Sequence, residues 1–88
     1  MTTLNEILND RSKTHGKYGD QAQLSVRLKR IMKTDNLSFV QQEALDMICH
    51  KMARIVCGDP DFADHWLDIA GYAQLVYIEL DKNIEEVI

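Results

Sequence analysis

The chain has 88 residues, 45% of them hydrophobic and 27% charged, with a formal net charge of -4. At this length it should form a single domain, residues 1–88, that buries only about 60–65% of the surface its unfolded form exposes, and a composition this ordinary argues against disorder. No apolar run approaches the roughly 18 residues of a membrane span and no basic-then-apolar signal opens the chain, so a soluble, cytoplasmic protein without a membrane partner is expected.

The charge is unevenly distributed. Up to Thr34 there are seven basic and three acidic residues, a balance of +4; from Asp35 onward there are three basic and eleven acidic, a balance of -8. The larger, acidic part would repel a phosphate backbone, so nucleic acid is not the expected partner. A basic segment and an acidic, metal-loaded one could instead grip opposite ends of a phosphorylated ligand.

In chain order, Thr3 with Glu6 three residues later reads as a capping box, and Leu4, Ile7 and Leu8 supply the apolar stripe of a first helix over about 3–12. A turn-rich linker follows from Lys13 to Gly19. The second helix is predicted over about 20–33, with Leu24, Leu28, Ile31 and Met32 buried. Ser38 and Gln41 repeat the capping signature and open a third helix, 38–57, which Gly58 closes. Asp59 as N-cap and Pro60 at the first helical position predict a fourth, 60–82, with Trp66, Ile69, Ala73, Val76 and Leu80 as its packing seam. Leu67, Leu75 and Ile78 fall outside that seam and call for a second neighbour, from this chain or another subunit. The tail, Asn83 to Ile88, is expected to fray unless it docks. With no strand alternation, the class is all-α: a bundle of about four helices around a central antiparallel pair, expected to be a homo-oligomer.

The chemistry-bearing residues concentrate on the third and fourth helices. Glu43, Asp46, His50 and Arg54 recur at offsets of three and four, as do Asp61, Asp64, Asp68 and Tyr72, so each set shares roughly one helix face. If the two helices pack antiparallel, Glu43 and Asp46 can face Asp64 and Asp68 across about 8–10 Å. Gathered carboxylates repel one another, and a hard divalent cation such as Mg²⁺ or Mn²⁺ would compensate them. The competing reading is structural: acids at a helix start are favoured by the helix dipole, and Glu43 or Asp46 could pair with His50 and Arg54 on a solvated face. Lys51 and Arg54 could reach phosphates, a flat ligand could lie beside Tyr72, and Arg11, Lys13, His15 and Lys17 around the linker form a candidate phosphate clamp. Cys49, Cys57, His50 and His65 lack the paired spacing of a zinc site. The two cysteines stand about 12 Å apart along one helix, too far to bond, and fit a reducing compartment.

Glu43-x-x-Asp46 followed by Asp64 and Asp68 resembles the acidic helix pair of the all-α, MazG-like nucleoside triphosphate pyrophosphohydrolases. More closely, Arg11-x-x-x-His15-Gly16, Lys51-Met52-Ala53-Arg54 with Gly58, and Asp64-His65-Trp66-Leu67-Asp68-Ile69-Ala70-Gly71-Tyr72-Ala73 resemble a small domain of uncharacterised function common in tailed-phage and prophage genomes. The enzyme resemblance implies cleavage of a nucleoside triphosphate between its α and β phosphates, with Glu43, Asp46 and Asp68 as Mg²⁺ ligands and Asp64 as ligand or general base. It differs from the enzymes' pattern in having Asp46 where they carry a second glutamate, and His65 where they carry the first acid of the second pair. A non-catalytic helical protein that binds and modulates a host protein through Leu67, Leu75 and Ile78 is the alternative of a different class.

Overall fold

A computed structural model describes residues 3–81, which form four helices: α1 (Leu4–His15), α2 (Tyr18–Ile31), α3 (Phe39–Cys57) and α4 (Ala63–Leu80). No strand occurs among the described residues. The expected tail Asn83 to Ile88 and the expected helix end at Lys82 lie outside them.

Both predicted capping boxes form. Glu6 N–H donates to Thr3 Oγ1 at 3.2 Å while Thr3 N–H donates to Glu6 Oε2 at 3.3 Å, and Ser38 and Gln41 make the same exchange at 3.1 and 2.9 Å. Each box satisfies two backbone donors that a helix start would otherwise leave without partners. Other boundaries differ from expectation. α1 continues to His15, because the residue that ends it is Gly16 at φ 79°, whose N–H closes onto Ser12 O at 2.9 Å. α2 opens earlier, at Tyr18, and closes at Ile31. Asp59 and Pro60 do not open α4. Asp59 Oδ1 accepts from Asp61 N–H at 2.9 Å and Asp59 O accepts from Phe62 N–H at 3.2 Å, which makes a separate turn. Extended Phe62 then precedes the helix.

α3 is the central element: α2 packs on one side of it, α4 on another, and α1 lies across α2 and α3. Both neighbours run antiparallel to α3. Gln21 meets Arg54 and Ser25 meets His50 on the α2 side, and Lys51 meets Asp68 on the α4 side. The centre is small, with Ala44, Cys49 and Ala53 as the buried hydrophobic residues. The predicted seams are buried in part. Ile31 of α2 and Trp66, Ala73 and Leu80 of α4 are exposed, Ile31 at the end of its helix and Trp66 lying over the Asp59–Asp61 turn with its indole N–H on Pro60 O at 2.8 Å. α4 turns His65, Ile69, Tyr72 and Val76 inward.

The two glycine-marked turns are pressed together. A Cβ on Gly58 would collide with the Thr14 carbonyl oxygen and come within 2.6 Å of Gly16 N and His15 C, and a Cβ on Gly16 would come within 2.6 Å of the Cys57 carbonyl carbon. Thr14 O accepts twice at this junction, from Asp59 N–H at 3.0 Å and from His65 Nε2 at 3.0 Å. His65 is buried. Since a carbonyl can only accept, Nε2 carries the proton of this imidazole. The junction fixes the end of α1 against the start of α4, which sets up the site below.

Candidate functional site

The site begins at the α1–α2 turn. Because Gly16 reverses the chain against the α3–α4 turn, the last residues of α1 and the first of α2 stand over the C-terminal part of α3. The result is a concavity of about 470 Å³, lined by Arg11 and His15 of α1, Lys17 of the turn, and Tyr18, Gln21 and Arg54 among others. Four of the seven residues read from the sequence as contacts for a phosphorylated ligand, Arg11, His15, Lys17 and Arg54, therefore meet in one place although they come from three segments. Arg54 is held there by its Nε, which donates to Gln21 Oε1 at 3.2 Å. That bond leaves the paired Nη groups of the guanidinium as the donors available to a ligand. Lys13 is absent from the pocket lining and pairs with Asp10 at 3.4 Å on the exposed side of α1.

A strip along the α3–α4 seam adjoins the pocket. Lys51, one turn before Arg54, places Nζ 3.0 Å from Asp68 Oδ2, with the lysine side chain only 12% exposed. Beyond that pair, Tyr72 lies between two hollows, one shared with Asp68 and Gly71 and one with Glu43 and Val40. Glu43 is thus level with Tyr72, Leu75 and Val76 on α4 rather than with Asp68. Asp46 acts on Cys49 and His50, and Asp64 is exposed. The four acids singled out from the sequence sit at different points along the bundle. Among the described residues no three His, Cys, Asp or Glu side chains form a group that could hold a metal ion.

A profile described as "Domain of unknown function (DUF6378)" matches residues 1–78. The chain belongs to this family. The match takes in α1 to α3 entire and all but the last two residues of α4, so both the pocket and the adjoining strip belong to the DUF6378 unit. No curated protein and no solved structure matches it.

Two histidines of the DUF6378 domain respond to the charge around the site. Burial pushes His15 below the ordinary imidazole value, and Arg54, His65, Arg11 and Lys51 add to the effect. Thr14 Oγ1 donates to Arg11 O at 3.2 Å, so it accepts from His15 Nδ1 at 2.6 Å, which leaves Nε2 as the nitrogen that takes up a proton. His50 is also lowered, by burial first and then by Lys29, Arg54 and Lys51, with Asp46 opposing them. Lys29 Nζ, 3.0 Å away, can only donate, so His50 Nε2 accepts and Nδ1 carries the proton, 3.4 Å from buried Ser25 Oγ.

Both folded-state values lie below 6.5, so as pH falls through that value the unfolded chain takes up protons before the folded one does. The stabilising contribution is fully present above it and is lost progressively below. The melting temperature of the ligand-free domain should therefore fall between about pH 7.5 and pH 5.5. A His15→Gln, His50→Gln double variant should flatten that slope in a thermal melt followed by circular dichroism.

The pocket residues that sequence reading missed are Gln21, Tyr18, Asn9 and Ser12. Gln21 is tied to Lys17 by the first backbone bond of α2, its N–H donating to Lys17 O at 3.1 Å, a link hidden by the predicted helix start at about residue 20. Asn9 and Ser12 carried no usable signal, because nothing in the sequence placed α1 beside α2.

Proposed function

We propose that this domain binds a nucleoside triphosphate, with the phosphates seated among Arg11, Lys17 and Arg54 and the base reaching toward Tyr18 or Tyr72. The observation that carries this reading is the convergence of three cationic side chains from three segments on one concavity. Such a cluster repels itself when empty, and an anionic ligand compensates it. A guanidinium already oriented by Gln21 is suited to grip phosphate oxygens in pairs.

Pyrophosphohydrolysis of that ligand is the second reading, favoured by Lys51 and Asp68, which lie one turn from Arg54 along the same seam, with Tyr72 a further turn along α4. The carboxylates within one chain do not fit a preformed three-ligand metal site. Mg²⁺ or Mn²⁺ arriving with the nucleotide needs only one or two of them, the phosphates and water supplying the rest. In this reading Glu43, Asp46 and Asp68 are the acids offered to the ion and Asp64 the general base.

The test is a panel of ribo- and deoxynucleoside triphosphates incubated with the pure protein and Mg²⁺ or Mn²⁺. Saturable binding is the expected result. Pyrophosphate and monophosphate that disappear in Asp68→Asn would add catalysis; no binding of any triphosphate would end both readings. Asp68→Asn should also lower stability by about 1 kcal/mol, because it deprives the largely buried Lys51 of its counter-charge. Relief of repulsion among gathered acids would give the opposite sign.

A further inference from the structure

We infer that two copies of this chain pair through α4, antiparallel, crossing at Gly71. Among the described residues α4 is covered on one side only, by α3. On the other, Leu67 is 68% and Leu75 62% exposed, and together with Gly71 and Ile78 they line a shallow hollow of about 590 Å³.

Gly71 supplies an independent observation. Glycine inside a helix costs about 1 kcal/mol relative to alanine. Nothing among the described residues explains it, since a Cβ there would meet no atom within 4 Å. A glycine at the centre of an apolar stripe permits close approach of a second helix axis.

The stripe also complements itself. With Gly71 opposite Gly71 of the second copy, antiparallel order sets Leu67 against Leu75 and Asp68 against Gln74, an acid against an amide rather than against another acid. Asp68 is already neutralised by Lys51, so the centre offers no unpaired acid to a basic protein. A second copy therefore fits it better than a charged partner of another kind. The remaining acids of α4, Asp64 and Glu79, fall at the rim.

The inference does not depend on the nucleotide reading. Sedimentation equilibrium of the full chain should give twice the chain mass. Leu67→Glu and Leu75→Glu should each weaken the dimer by at least about tenfold in dissociation constant, with helix content unchanged. Gly71→Cys tests the register in a chain that keeps its fold: mild oxidation should give a disulfide-linked dimer that the wild type, with Cys49 and Cys57 alone, does not give. A wild-type chain that sediments as a monomer or as a trimer would overturn the inference. So would a dimer that survives both glutamate substitutions, or a Gly71→Cys variant that fails to cross-link.

Discussion

Arg54→Met is expected to weaken nucleoside triphosphate binding by about 10- to 150-fold, the range that corresponds to losing charge-assisted hydrogen bonds of 1.5–3 kcal/mol. Methionine keeps most of the side-chain volume and removes the charge and the fork of donors. Arg54→Lys should recover only part of the loss, since an ammonium cannot make the paired contact. Lys13→Ala, which removes a cation bound to Asp10 outside the pocket, should leave affinity unchanged. Isothermal titration with a triphosphate and with inorganic triphosphate would separate the phosphate contribution from that of the base. Protonation of His15 adds positive charge beside the ligand, so affinity should rise as pH falls from about 7.5 to 6. Ligand-free stability falls over the same interval, and the two opposed trends together test the placement of His15 in the pocket.

The largest effect on stability is expected from Gly58→Ala. Its added methyl group would run into backbone atoms of Thr14, His15 and Gly16, none of which can rotate away as a flexible side chain would. A cost of about 3 kcal/mol or more is expected, equivalent to a fall of at least ~12 °C in melting temperature for a domain of this size. Gly19→Ala provides the control, since a Cβ there meets nothing within 4 Å. Gly19 lies in the first turn of α2, and its replacement should be neutral or slightly stabilising. Thermal melts of the two variants side by side would show whether the junction, rather than glycine content as such, holds the bundle together.

Helix starts that are encoded by reciprocal side-chain bonds were legible in the sequence. Thr3 with Glu6 and Ser38 with Gln41 specify their caps within four residues, and both formed. The start of α4 was not legible, because Asp59 and Pro60 are equally suited to a helix start and to a turn. The decision came from Phe62 and His65, whose rings meet edge to face with centroids 4.9 Å apart beside His15. That is a tertiary fact. The same division holds at the site. Arg11 and Lys17 were picked out around the glycine-flanked linker and Arg54 as a cation of the third helix, but their meeting depends on the junction of Gly16 with Gly58, which residue spacing does not encode. The carboxylates show the opposite failure. Glu43, Asp46 and Asp68 share helical spacing on their own elements, yet the antiparallel register set by Lys51 and Asp68 puts Glu43 level with Tyr72.

The double acceptance by Thr14 O has a practical consequence for protein engineering. An inserted residue in either the 14–18 or the 57–62 segment would pull that carbonyl out of reach of Asp59 or His65, so neither segment is suited to a tag, a fluorophore or a foreign peptide. The α2–α3 connection, residues 32–38, carries one turn bond of its own, Leu37 N–H to Thr34 O at 3.0 Å, and Asp35 and Asn36 at its tip are exposed. A reporter grafted there would sit away from both the pocket and the outer face of α4, and could follow ligand capture and self-association in one molecule.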